Sequence, residues 1–237
     1  MFNRYKTRGI FLKSEDRGEA DRILTAYTEN FGKIKIFAKS IRKEESKLRF
    51  GTGFFFLNEI EFIEGKNRKT LTDVRIINSY KSIRRDLTAS ALAYKACEDI
   101  DALVKEGEKD DNIWRLLALF LERINQRGKE DGLSPYYHFL WKLFSFLGYH
   151  PETNRCLFCR KKIESPPFYF SAIDGGIIGF CCFQKARDPE KTGKEAIELI
   201  RVFSKRGFIF PAVNIGGGAG REVEKISEDY LKHLSSK

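Results

Sequence analysis

Cys156-Leu157-Phe158-Cys159 is a C-x-x-C knuckle. Two thiolates at that spacing can grip one zinc ion from a tight turn. Phe168 to Ile173 then reads as a strand, Asp174-Gly175-Gly176 as a turn and Ile177 to Phe180 as a second strand. That hairpin returns Cys181 and Cys182 towards the knuckle, as in a zinc ribbon. Adjacent residues on a strand point to opposite faces, so the two share one ion only if the backbone kinks between them. If one of them binds alone, His150 is a further candidate. The candidate metal ligands are therefore Cys156, Cys159, Cys181 and Cys182. A zinc ion held by four protein ligands has a structural job, because no position is left for substrate. The competing reading is a metal-free loop with buried thiols.

The second cluster is basic. Lys33, Lys35, Lys39, Arg42, Lys43, Lys47 and Arg49 stand within 17 residues against Glu44 and Glu45. Lys33, Lys35 and Lys39 alternate along one strand and share its polar face, with Phe37 in the same row. Cations beside aromatic rings are what single-strand binding needs, since the cations neutralise the backbone while the rings stack on bases. The bland alternative is a solvated strand and loop. Charge over the whole chain points the same way. The net charge is +10, and residues 1–80 carry 17 basic and 11 acidic side chains, against 11 of each in residues 81–150. The polyanion-binding module is expected at the N-terminal end.

Catalysis finds no comparable support. The three histidines, His138, His150 and His233, fall in no constellation with a nucleophile. The sequence predicts a binding protein rather than an enzyme. No apolar run approaches the roughly 18 residues of a membrane helix, and the first twenty residues lack the continuous apolar stretch of a signal peptide. The expected compartment is the cytoplasm. With five cysteines, four of them within 27 positions, metal is favoured over disulfides there. Cys97, on a helix, is expected to be a small buried hydrophobe.

These groups need elements to hold them. Residues 1–80 read as about five strands without a crossover helix. They are Tyr5 to Lys13 (closed by the polar run Ser14 to Glu19), Asp21 to Thr28, Lys33 to Lys39, Phe54 to Glu64 and Thr70 to Ile77. A small antiparallel barrel of the OB-fold type packs them economically. From Ser82 the pattern is helical. Leu87 to Ala96 has helical spacing, and Asn112 to Asn125 carries the stripe Ile113, Leu116, Leu117, Phe120, Leu121, Ile124. A third helix is expected to open at Ser134-Pro135, with Ser as N-cap and Pro at N1, and to end at Gly148. A loop is expected at Gly128 to Gly132. Beyond Asp188-Pro189 come Glu195 to Phe203 and Arg221 to Leu234, joined by the Gly216-Gly217-Gly218-Ala219-Gly220 tract. That tract lacks the ending of a phosphate-cradling loop and reads as a flexible linker. The expected fold class is thus α+β and multi-domain: an OB-fold β-barrel over 1–80, then a helical domain over 81–237 with a zinc-ribbon-like Cys hairpin inserted at 151–185.

In this order the sequence resembles the RecO family of bacterial recombination mediator proteins. The resemblance is carried by Gly18 to Leu24 with Thr28, Gly32-Lys33 and Ala38-Lys39, by the basic loop at Arg42-Lys43 and Ser46 to Leu48, by the helical segments Tyr94 to Leu103 and Tyr137 to Leu147, and by the knuckle with Phe170-Ser171 and Gly175-Gly176. The family's usual second C-x-x-C is represented here by Gly179 and Cys182, with Cys181 extra. The resemblance implies a non-enzymatic DNA repair protein. It would bind single- and double-stranded DNA, anneal complementary strands and engage single-strand-binding protein. With RecR it would help RecA replace that protein, and it would be associated with the nucleoid. The alternative left by the residues alone is a zinc-containing OB-fold RNA-binding factor.

Overall fold

A computed structural model describes residues 3–126, 132–205, 207–208 and 215–236. The first five strands are β1 (Asn3–Arg17), β2 (Asp21–Thr28), β3 (Gly32–Ala38), β4 (Leu57–Glu64) and β5 (Lys69–Asn78). They close into a barrel in the order β1-β2-β3-β5-β4. All pairings are antiparallel except β3 with β5, which is parallel. This is the five-stranded arrangement expected of an OB-fold. β1 reaches Arg17 rather than stopping at Lys13. Its first half pairs with β4 and its second half with β2, and the register shifts between Phe11 and Lys13, so Leu12 is an extra residue that lets the strand bend from one partner to the other. The polar run Ser14 to Arg17 stays in the ladder because β2 pairs with it, and an Asp16–Arg22 ion pair of 2.7 Å spans the two strands. β4 starts later than expected, at Leu57. Phe55 before it has φ +65°, which ends the extended run, and its ring meets Tyr94 at 4.5 Å. The interior is filled by one face of each strand, including Phe11, Leu24, Ile34, Ile36, Ile60 and Phe62.

Three helices follow in the same compact unit, which spans Met1–Gln126. They are α1 (Lys81–Arg85), α2 (Leu87–Leu103) and α3 (Asp111–Asn125). The side chain of Asp86 caps α2 by accepting from Ala89 N at 2.8 Å, and Asp110 caps α3. All six residues of the expected α3 stripe are buried, with Trp114 beside them. The segment between α2 and α3 packs on the start of β3. Gly107 N donates to Lys33 O at 2.8 Å, and Tyr27 Oη bonds the Asp110 backbone at 3.2 Å. Gly32 makes that approach feasible, because it has φ +62° and a Cβ there would collide with the Glu108 backbone.

The second unit spans Arg127–Lys237. It contains α4 (Ser134–Phe146), a small sheet of β6 (Phe168–Ser171), β7 (Gly176–Gly179) and β8 (Glu190–Thr192), then α5 (Lys194–Phe203) and α6 (Gly217–Ser235). α4 is buried from Ser134 through Phe144. Trp141 anchors it, donating from Nε1 to Ser227 Oγ at 2.9 Å and stacking on Tyr230 at 5.3 Å. Ser134 lies inside the helix rather than at its cap; Leu133 takes the cap position, with no capping side chain. Gly148, at φ +86°, closes the helix as expected, and Tyr149 N donates to Phe144 O at 2.8 Å. The Gly216 to Gly220 tract is not a linker. Gly216 is the N-cap of α6 and Gly217 to Gly220 is its first turn. The lack of a side chain has a packing reason, because a Cβ on Gly220 would stand 2.6 Å from Ile215 O. Of the loop expected at Gly128 to Gly132, all but Gly132 lies outside the described residues.

Candidate nucleic-acid interface and metal centre

The seven barrel cations occupy different environments. Paired positions on β2 and β3 put Tyr27 with Lys33, Thr25 with Lys35 and Ile23 with Phe37 on the outer face. Lys33 is only 8% exposed, and its Nζ donates to Asp101 O at 2.6 Å and lies 3.3 Å from Asp101 Oδ1. Its ammonium ties β3 to the end of α2. Lys35 lies exposed, 3.7 Å from Glu106. Arg42 donates to Gly18 O at 3.2 Å and lies 3.5 Å from Asp16. The Asp16 carboxyl is held below the usual carboxylate range, first by its bond to Arg22 and, against some desolvation, by the charges of Arg42 and Arg22. Lys39, Lys43, Lys47 and Arg49 are exposed and make no ion pair among the described residues. All four lie between β3 and β4, in the loop that contains a 3-10 turn at Lys47–Phe50. Cations without internal counter-ions leave a positive field that only an outside anion neutralises.

Two neighbours of this surface were not singled out from sequence. Phe50, next to Arg49, is 79% exposed. Arg68, in the β4–β5 turn, lies 4.1 Å over the Phe37 ring. A large aromatic inside a cation-rich loop is a sequence signal for the first. The second needs the parallel β3–β5 pairing, which brings Phe37 opposite Thr70.

The cysteine cluster assembles in the second unit. The sulfurs of Cys156, Cys159 and Cys182 all lie within 4.8 Å of one another. The knuckle is a tight turn: Arg160 N donates to Cys156 O at 2.9 Å, Cys156 N donates to Lys161 O at 2.9 Å, and Arg160 has φ +61°. Leu157 N donates to Ile177 O at 3.0 Å, which pins the knuckle to β7. A 3-10 turn, Phe180–Lys185, begins where β7 ends. The backbone therefore leaves the extended form before the cysteine pair. Cys182 is buried, Cys181 is exposed, and their sulfurs are 3.7 Å apart. Cys181 lies outside the mutually close trio. His150 is not drawn in; its Nδ1 lies 3.1 Å from Ser145 Oγ.

The electrostatics of the trio suit a cation. Burial pushes the Cys156 thiol up, but backbone N–H groups of Cys159, Gly179 and Phe158 directed at its sulfur outweigh this and bring it to about 7. Gly179 N donates to that sulfur at 3.5 Å. Cys182 is pushed up to about 12, by burial first and then by the sulfurs of Cys181, Cys159 and Cys156. One thiolate forms readily and opposes the next, and a metal ion at the centre removes that opposition. The three residues thus fit a metal. Cys97 behaves as expected of a core residue: burial, with Asp99 and Glu98 nearby, raises it to about 12.

The comparison with known proteins covers both units. The family model described as Recombination protein O N terminal matches residues 1–80, and Recombination protein O C terminal matches residues 84–237. The chain belongs to the RecO family. Among curated RecO relatives, the DNA repair protein RecO of Dehalococcoides mccartyi strain 195 is 35% identical over 174 residues, 73% of this chain and 68% of that protein. Those of Thermoanaerobacter sp. strain X514 and Acetivibrio thermocellus are 28% and 29% identical over 97% and 99% of this chain, and 92% and 93% of their own lengths. RecO membership places the chain in DNA repair, and the names of these RecO relatives specify no catalysed reaction. The α+β fold class agrees with the sequence reading, and a metal-compatible Cys cluster sits where the spacing put it. Among the described residues no helix is long and apolar enough to cross a membrane.

Proposed function

We propose that this chain is a non-enzymatic recombination mediator. It binds single- and double-stranded DNA through the barrel and anneals complementary strands. With RecR it helps load RecA onto strands coated by single-strand-binding protein, in the cytoplasm at the nucleoid. The observation that carries the DNA surface is the loop holding Lys39, Lys43, Lys47 and Arg49 without counter-ions among the described residues, beside the exposed ring of Phe50. Phosphates take the cations and an unpaired base takes the ring. Lys35, on β3, and Arg42, within the loop but held by Asp16 and Gly18, add to its field, whereas Lys33 acts inside the protein. The barrel alone would suit RNA as well, and membership of a DNA repair family supports DNA as the ligand.

In the second unit the assigned group is one structural zinc ion, held by Cys156, Cys159 and Cys182, with Cys181 the fourth thiol at hand. Bound there it would join the knuckle to the end of β7 and supply no reaction chemistry. The test of the DNA reading is a salt titration of single-strand affinity by fluorescence anisotropy. The four phosphate contacts of the barrel loop contribute about −2.8 to the slope of log K against log salt, equal for different base sequences. An affinity that does not change with salt would end the reading.

A further inference from the structure

The knuckle carries a second surface of the same chemistry. From Arg155 to Arg187 the chain has six basic residues, Arg155, Arg160, Lys161, Lys162, Lys185 and Arg187, against Glu164 and Asp174. All six are exposed. Arg187 is taken by Asp174 at 2.8 Å, Lys162 by Glu164 at 3.6 Å, and Arg160 lies 3.9 Å from Glu152. The side chains of Arg155, Lys161 and Lys185 make no ion pair or hydrogen bond among the described residues. Two large rings stand among them: Phe180 is 71% exposed and Phe158 is 40% exposed.

These rings are set on rigid backbone. Phe158 sits inside the C-x-x-C turn, next to Cys159. Phe180 follows Gly179, whose N–H holds Cys156 Sγ, and opens the 3-10 turn that delivers Cys182. Cys159, next to Phe158, and Cys182, two residues after Phe180, converge with Cys156 within 4.8 Å, so both rings rise from one small, cross-tied patch. Lys161 is bonded through its carbonyl to Cys156 N, and Lys185 ends the turn that Phe180 begins. Fixed rings between cations without counter-ions present a stacking platform whose ordering cost is already met in the free protein.

We propose that this rim of the knuckle, Phe158 and Phe180 with Arg155, Lys161 and Lys185, binds a single nucleic-acid strand as a site separate from the barrel loop. Unpaired bases stack on the rings, and phosphates meet the cations. A duplex keeps its base faces covered and would use the cations alone, so the exposed rings select single strands. The inference deepens the DNA-binding reading, because a chain that anneals must handle two strands and each unit would then offer one surface.

The experiment measures oligo(dT) affinity for the full-length, zinc-loaded protein, its Phe158→Ala/Phe180→Ala variant, a Lys47→Ala/Arg49→Ala barrel variant, and the combination. Each knuckle ring is worth roughly tenfold in affinity. The ring variant should therefore bind weaker by at least that factor with its salt slope unchanged, while Lys161→Ala/Lys185→Ala should lower the slope by about 1.4. Phe180→Trp keeps a ring in place, and its fluorescence should be quenched by oligo(dT), which reads the contact even if the Ala variant loosens the knuckle. Unchanged affinity in the ring variant together with no quenching of Trp at 180 overturns the proposal. If the barrel variant still loses affinity, the DNA reading of the barrel survives that result. If only the ring variant loses it, the barrel reading fails and the knuckle stands. Normal annealing of bare strands by the ring variant, with loss only on protein-coated strands, would assign the surface to a protein partner and also overturn the proposal.

Discussion

Lys33→Gln separates an internal anchor from a DNA contact. The Lys33 side chain is 10% exposed, its Asp101 partner 28%. The ammonium donates to a main-chain carbonyl at 2.6 Å and sits 3.3 Å from the carboxylate. A hydrogen bond to a charged group is worth about 1.5–3 kcal/mol, and a partly exposed Asp101 recovers water when the partner leaves. The net loss is then about 2 kcal/mol, roughly a 30-fold shift of the folding equilibrium. The chain has two tryptophans, Trp114 on α3 in the first unit and Trp141 on α4 in the second. Urea unfolding followed by Trp114 fluorescence in a Trp141→Phe background therefore reads the unit that Lys33 holds together. The single-strand salt slope of the folded variant should match the parent. Lys47→Ala/Arg49→Ala should do the reverse, leaving stability unchanged and lowering the slope by about 1.4. A Lys33 variant with normal stability and a flattened slope would refute the anchor role and restore Lys33 to the DNA surface.

Three further outcomes follow from the geometry. Elemental analysis should find about one zinc per chain, and Cys156→Ser should release it and loosen residues 151–185 while Trp114 unfolds as in the parent. Burial, with Lys142 close by, lowers His138 to about 4 from the ordinary 6.5. The unfolded chain takes that proton first, so stability of the second unit should fall as pH drops from about 6.5 to 4, by about 3 kcal/mol in all. Unfolding followed by Trp141 fluorescence checks this, and His138→Phe, stacking on Phe203 in place of the imidazole, should remove that share of the pH dependence and leave the share carried by Asp174 and the cysteine thiolates. Gly32→Ala should cost about 2 kcal/mol or more, since it combines a left-handed backbone with a collision against Glu108; a denaturation midpoint equal to the parent's would contradict the packing of the α2–α3 segment on β3.

The barrel was legible because strand alternation is local, as in Lys33 to Ala38, where Ile34, Ile36 and Ala38 face the interior. The fate of Lys33 was not legible, because its partner is 68 residues away and a lysine on an alternating strand reads as solvent-facing. β8 escaped notice because Glu190-Lys191-Thr192 is too short to show a period, and it forms by pairing with Phe168 to Phe170. The glycine tract reads as a linker by propensity, yet Gly220 is where the helix start passes close to Ile215. The metal trio was visible in the C-x-x-C spacing and the hairpin. The difficulty over Cys181 and Cys182 came from extending β7 through them, whereas the 3-10 turn at Phe180 turns Cys182 inward.

The most direct measurement is the annealing rate of complementary DNA strands coated with single-strand-binding protein. It is compared for the parent and for a variant with Lys39, Lys43, Lys47 and Arg49 all changed to Ala. The parent should anneal the coated strands well above the spontaneous rate, and the variant, folded and zinc-loaded, should lose most of that acceleration. A variant that anneals as fast as the parent would remove this loop from the DNA surface.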